Sequence, residues 1–125
     1  MNRTDIIKAY RSNILSYVSN DITDQENFQN QVLRPILKFQ NKLFVNLFLN
    51  DCRAHKINFT VLSIEDKQNY IENKLQKDVK LKALFLGTVI GLLTLEEFET
   101  YSAYQRHFNK RIIQMLIVRL KIEAI

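Results

Sequence analysis

The sequence predicts an all-α fold: a single-domain bundle of five to six helices spanning residues 1–125. Three observations carry this. Only two Gly and one Pro occur in 125 residues, so there is little material for frequent turns. Leu, Ile, Lys, Gln and Glu are abundant and their apolar members recur at helical spacing. Ser or Thr followed three residues later by Asp or Glu marks several helix starts.

Taken in order, a first helix is expected from about Asp5 to Val18, with Ile7, Tyr10, Ile14 and Tyr17 on one face. Thr23-Asp24-Gln25-Glu26 fits a capping box that opens a long helix reaching about His55. Pro35 lacks an amide donor and clashes with the preceding turn, so a kink or a helix junction is expected near Gln31 to Pro35. Beyond it, Ile36, Leu37, Phe39, Leu43, Phe44, Leu47, Phe48 and Cys52 form a wide apolar face. Ile57 to Leu62 alternates like a strand but has no partner, and reads as an extended connection with Phe59 and Leu62 tucked inward.

Ser63 and Asp66 start the next helix, to about Lys77, with Ile64, Ile71 and Leu75 inward. Asp78 caps the stretch from Leu81 to Leu93, which is apolar on nearly every side yet shorter than the ~20 residues a bilayer span needs. It is expected to be a buried central helix, with Gly87 and Gly91 allowing close approach of a neighbour. Thr94 and Glu97 form the strongest cap, with Leu93 and Phe98 placed for a hydrophobic staple. The last helix is expected from Leu95 toward Lys121, loosened near His107 to Asn109. Its end, Ile112 to Leu120, is so apolar that either several helices or a second copy must cover it.

The formal charge of +5 is spread over both halves, with no basic tail. It implies weak attraction to polyanions and names no partner. One cysteine, Cys52, allows no internal disulfide and suits a reducing compartment; with no secretory signal pattern, the expectation is cytoplasmic.

Several runs taken together carry a resemblance: Leu33-Arg34-Pro35-Ile36-Leu37-Lys38-Phe39-Gln40-Asn41, Tyr70-Ile71-Glu72-Asn73, Gln76-Lys77-Asp78, Val89-Ile90-Gly91-Leu92, Glu96-Glu97 and Asn109-Lys110-Arg111. From Glu26 onward most of the chain resembles a family of small bacterial all-helical proteins of uncharacterised activity, some automatically labelled "glyoxalase". The resemblance brings no catalytic residues with it. Metal-dependent glyoxalases take His and Glu ligands from βαβββ modules, whereas this chain offers His55 and His107 and no strand with a partner to pair with.

Chemistry-bearing residues are few. Cys52 and His55 share a helical face beside Asp51, an incomplete set for nucleophilic catalysis or a metal. Arg34, Lys38 and Lys42 line one stripe with Asn41 alongside, and Arg106, Lys110 and Arg111 lie among Tyr101, Tyr104 and Phe108. Either group suits phosphate or a nucleic-acid strand, and either suits a solvated face over core aromatics. Lys74, Lys77, Lys80 and Lys82 read as another solvated face, and Glu96, Glu97 and Glu99 as a helix start. Gln40 and Asn46 interrupt an apolar helix; they are expected to bond to Tyr101 or Asn109, or to line a pocket with Arg34 between the second and last helices.

The ligand-binding set expected is therefore Arg34, Lys38, Gln40, Asn41, Tyr101, Asn109 and Arg111, with no catalytic residue, metal or cofactor. The leading reading is a non-enzymatic interaction module, self-associating as a homodimer through Ile112 to Leu120 or binding another protein, away from membranes. The alternative is a nucleic-acid or small-anion binding protein, and an enzyme of unknown reaction comes third.

Overall fold

The computed structural model describes residues 2–11 and 24–125, with Arg11 described by its backbone. Among them every regular element is helical: α1 (Arg3–Arg11), α2 (Asp24–Phe28), a π-helical turn (Gln29–Leu33), α3 (Arg34–Phe39), α4 (Asn41–Ala54), a 3₁₀ turn (Phe59–Val61), α5 (Ile64–Lys77), α6 (Val79–Ile90), α7 (Leu95–Ala103) and α8 (Gln105–Glu123). The all-α single domain is as the sequence predicts, but it is divided into more helices than the five to six expected, because the long second helix breaks at the π turn and at Gln40 and the last one breaks at Tyr104. Thr23, Ile14 and Tyr17, on which two of the expectations rest, lie outside the described residues.

Three helix starts are made by the residues expected. Ser63 Oγ accepts from the Asp66 amide at 3.1 Å, and Asp78 Oδ1 from the Leu81 amide at 2.9 Å. Thr94 and Glu97 form both bonds of a capping box, at 2.9 and 3.1 Å. Each bond satisfies an amide that the first helical turn leaves without an intrahelical acceptor. Leu93 is buried beside this cap, but Phe98 is 43% exposed and sets its ring against Tyr101 instead of closing a staple.

The core runs along α8, which packs against α4, α5, α6 and α7. Phe108, Ile112, Ile113, Met115, Leu116, Ile117 and Leu120 are all buried within the chain. The apolar excess of Ile112 to Leu120 is thus absorbed by the chain's own helices, with Val118 alone of its apolar residues exposed.

The helix containing Gly87 is covered on one side only. Leu81, Phe85 and Val89 are buried, while Leu84 is 48% exposed and Gly87 faces out. A methyl group built on Gly87 would meet nothing within 4 Å, so the close approach expected at this glycine is not made. Periodicity cannot choose the inner face of a segment that is apolar all round. The same ambiguity explains Phe39 and Leu43, expected inward but 45% and 43% exposed. Ile64 is 66% exposed because it is the first residue of α5 and lies at the helix end.

The final helical region breaks earlier than expected. Tyr104 leaves helical geometry (φ −130°, ψ 37°) and separates α7 from α8, while His107 to Asn109 are regular helix. A straight helix would separate residues seven apart by about 10.5 Å. The corner brings the Tyr101 and Phe108 rings to 6.5 Å, letting both be buried.

Two joints tie the termini of these helices down. Arg3 donates from α1 to the Leu93 and Gly91 carbonyls at 2.7 and 3.0 Å, placing a cation on acceptors at the C-terminal end of α6. The α4 terminus closes with the Lys56 amide on the Arg53 carbonyl and the Ile57 amide on the Cys52 carbonyl, a Schellman pattern. Lys56 supplies the left-handed residue (φ 59°) where glycine is usual. Phe59 then tucks into the core, as expected, from within the 3₁₀ turn.

Candidate functional site

Pro35 determines the local backbone from which the site is built. An α-helical turn would aim its ring at the Gln31 carbonyl. The chain widens instead: Gln29–Leu33 is π-helical, and the Arg34 amide bonds to the Gln29 carbonyl five residues back. The kink expected near Gln31 to Pro35 is thus a one-turn expansion between α2 and α3. Gln29 is buried, and its Oε1 accepts from Arg111 Nε on α8 at 2.9 Å.

This contact ties the turn ahead of α3 to α8 beside an open groove of about 490 Å³, lined by Arg34, Arg111 and Arg119 alongside Met115, Val118 and Ile122. Neutral amides set the guanidiniums. Arg34 Nε donates to Asn30 Oδ1 at 3.0 Å, Arg111 Nη1 to Gln114 Oε1 at 2.6 Å, and Arg119 Nη1 to Asn41 Oδ1 at 3.4 Å. Among the described residues none of the three forms an ion pair within 4.0 Å. The one carboxylate lining the groove is Glu123. Burial, and then the Arg34 charge, hold the Arg119 guanidinium below the usual arginine range, against a smaller opposing pull from Glu123. A guanidinium is charged at any physiological pH, so the groove keeps a concentrated positive potential.

Of the expected binding set, the structure brings Arg34 and Arg111 to this groove; Asn41 reaches it only as a hydrogen-bond partner of Arg119, and the rest are dispersed. Lys38 and Lys42 are exposed, and neither lines it. Gln40 is half-buried at the α3–α4 junction, where the backbone leaves the helix, and Asn46 faces solvent. The bond expected from them to Tyr101 or Asn109 is not made. Tyr101, buried, donates its hydroxyl to Asn109 Oδ1 instead. Sequence reading missed Gln29 and Arg119. Arg119 was visible as the lone charge within Ile112 to Leu120, a position that an apolar helix would not give to arginine without use for it.

The aromatic and basic group on the last helix does not form a stacking platform. Tyr101 and Phe108 are buried, leaving Tyr104, 49% exposed, as the accessible ring among the three. Nor is Cys52 paired with His55: the thiol is 1% exposed, the imidazole is on the surface, and burial pushes the thiol pKa up. A thiol held protonated is a poor nucleophile.

Ligand atoms of Asp51, His55 and Asp78 lie within 4.8 Å of one another, the one such group among the described residues. Its centre already holds a cation. Lys74 Nζ sits 3.3 Å from Asp51 Oδ2 and 2.7 Å from Asp78 Oδ2. Burial opposes the ammonium charge, but hydrogen bonds to Asp78 and Asp51 outweigh it and raise the Lys74 pKa. The cluster is an ion-pair clasp between α4 and the α5–α6 corner. Lys74 therefore does not belong to the solvated lysine face that the sequence suggests.

No described helix is long and apolar enough to cross a membrane. Comparison of the chain with family models, curated proteins and solved structures finds no match.

Proposed function

We propose that the protein binds a small oxyanion, a phosphate or phosphomonoester, in the groove between α3 and α8. One observation carries this reading: three guanidiniums converge with amide partners and without ion pairs among the described residues. Arginine is almost never fully buried unless paired, and Arg111 and Arg119 are half-buried with amide partners alone, while Arg34 stands exposed beside them. Arginine's planar fork suits bidentate bonds to phosphate, which are charge-assisted and roughly twice as strong as neutral ones. The amides of Gln29, Asn30 and Asn41 hold the forks in place, which lowers the entropy lost on binding.

Self-association through α8 has less support, because six apolar residues between Ile112 and Leu120 are buried within the chain itself. Nucleic-acid binding loses its stacking surface for the reason given above.

Calorimetric titration with phosphate, sulfate and acetate tests the proposal. Phosphate and sulfate are expected to bind saturably and more tightly than acetate, with affinity falling as salt rises. Arg34→Gln removes about one charge-assisted bond and is expected to weaken phosphate about tenfold. Equal phosphate binding by the wild type and Arg34→Gln sinks the reading.

A further inference from the structure

A second concavity lies on the adjoining flank of α8, bounded by α5 and α6, with a volume of about 440 Å³. That is within the ~300–1,000 Å³ typical of small-ligand sites. Leu86, Ile113 and Ile117 supply its apolar surface, and Lys82 and Lys110 are the cations in its lining. No carboxylate lines it.

The amide groups sharpen the picture. Asn109 accepts the Tyr101 hydroxyl on Oδ1, so its NH₂ remains for a ligand. Gln114 accepts Arg111 Nη1 on Oε1, so its NH₂ likewise remains. Lys82 spends one bond on the Gln76 carbonyl at 3.0 Å, which holds the ammonium against another lining residue with donors to spare. Lys110 is exposed and has no ion pair among the described residues. Lysine and amide donors thus surround an apolar floor; the amide oxygens of Asn109 and Gln114 each already accept one bond, and Gln76 adds a third amide to the lining. A neutral apolar ligand would use the floor and leave the donors idle. A small inorganic anion would use the donors and leave the floor idle.

We propose that this groove binds a carboxylate amphiphile, such as a medium-chain fatty acid, with its chain on Leu86, Ile113 and Ile117 and its head on Lys82 and Lys110. The site uses none of the three arginines, but it shares Gln114 with the arginine groove, where that amide accepts from Arg111.

The test is titration with octanoate, octanol and acetate, followed by calorimetry and by methyl NMR of the isoleucines. Octanoate is expected to bind saturably and to shift Ile113 and Ile117. Octanol, lacking the charge, is expected to bind about tenfold more weakly, the worth of one charge-assisted bond, and acetate, lacking the chain, is expected not to saturate. Lys110→Gln, a change at an exposed position, is expected to cost octanoate about tenfold on the same basis; Lys82→Gln gives a second such variant. Arg34→Gln is expected to leave octanoate binding unchanged. Equal affinity for octanoate and octanol, an unchanged affinity in both lysine variants, or loss of octanoate binding in Arg34→Gln would each overturn the proposal.

Discussion

Replacing Arg119 by methionine separates a residue kept for binding from one kept for stability. Methionine retains much of the apolar stem, so packing against the groove is largely preserved. The hydrogen bond lost is the 3.4 Å contact with Asn41, near the outer limit for such bonds and worth about 0.5 kcal/mol at most. Against that loss, a half-buried cation disappears, and both burial and Arg34 act against its charge. Stability in chloride is therefore expected to change by less than about 0.5 kcal/mol, or to rise. In phosphate the two proteins should part. At a hundredfold excess over Kd, ligand binding stabilises the wild type by about 2.7 kcal/mol, which for a domain of this size is a Tm increase of about 10 °C. Phosphate also strengthens apolar burial in general, so the quantity to read is the wild-type gain minus the variant's gain. Thermal unfolding by circular dichroism, in phosphate and in chloride at matched ionic strength, supplies both. A loss of about 2 kcal/mol or more in chloride would make Arg119 structural. Equal phosphate gains would remove it from any anion site.

The remaining predictions concern the frame. Asp78→Ala is expected to cost about 2 kcal/mol at neutral pH, about half from the lost helix cap and half from the bond to Lys74, whereas Asp78→Asn keeps the cap and costs about 1 kcal/mol. The Lys74 bond, and then the Leu81 amide, lower the Asp78 pKa, so its charge-dependent contribution is present above the ordinary carboxylate value near 4 and is lost as pH falls through the lowered one. Urea unfolding at pH 7 and pH 3 checks this; an Asp78→Asn cost as large at pH 3 would contradict it. Lys56→Gly relieves a left-handed backbone at the end of α4 and is expected to stabilise by about 1 kcal/mol; a destabilised variant would show that the lysine side chain matters more than its backbone. Gly87→Ala places a methyl in open space on a helix and is expected to raise stability by about 0.5–1 kcal/mol, read from the urea midpoint.

What was legible in the sequence is what is decided locally. Ser63, Asp78 and Thr94 cap as expected because a cap needs only residues three apart. Pro35 announced a distortion through its own ring, although not that the helix would widen and continue. The corner at Tyr104 carries no such sign: no Gly, no Pro and no side-chain cap marks it, and it arises from burying two rings together. The groove was half legible. Arg34 and Arg111 stood out as cations beside aromatic or apolar runs, but their meeting depends on α3 and α8 approaching across the bundle. Arg119 stood in the sequence as the lone charge of the Ile112 to Leu120 run, but the hydrophobicity of its neighbours favoured self-association as the reading.

The widened turn at Gln29–Leu33 gives the site an unusual tolerance. It contains a one-residue surplus over an α-helical path. A π turn takes up that residue within about the sweep of one α-helical turn, so the faces of α2 and α3 keep nearly the relation they would have in a regular helix. Deleting one residue there would restore regular winding with little rotation of Gln29 away from Arg111. The orientation of Arg111 is thus buffered against a one-residue change in chain length, where the same change in an ordinary helical turn would swing the side chain by about 100°.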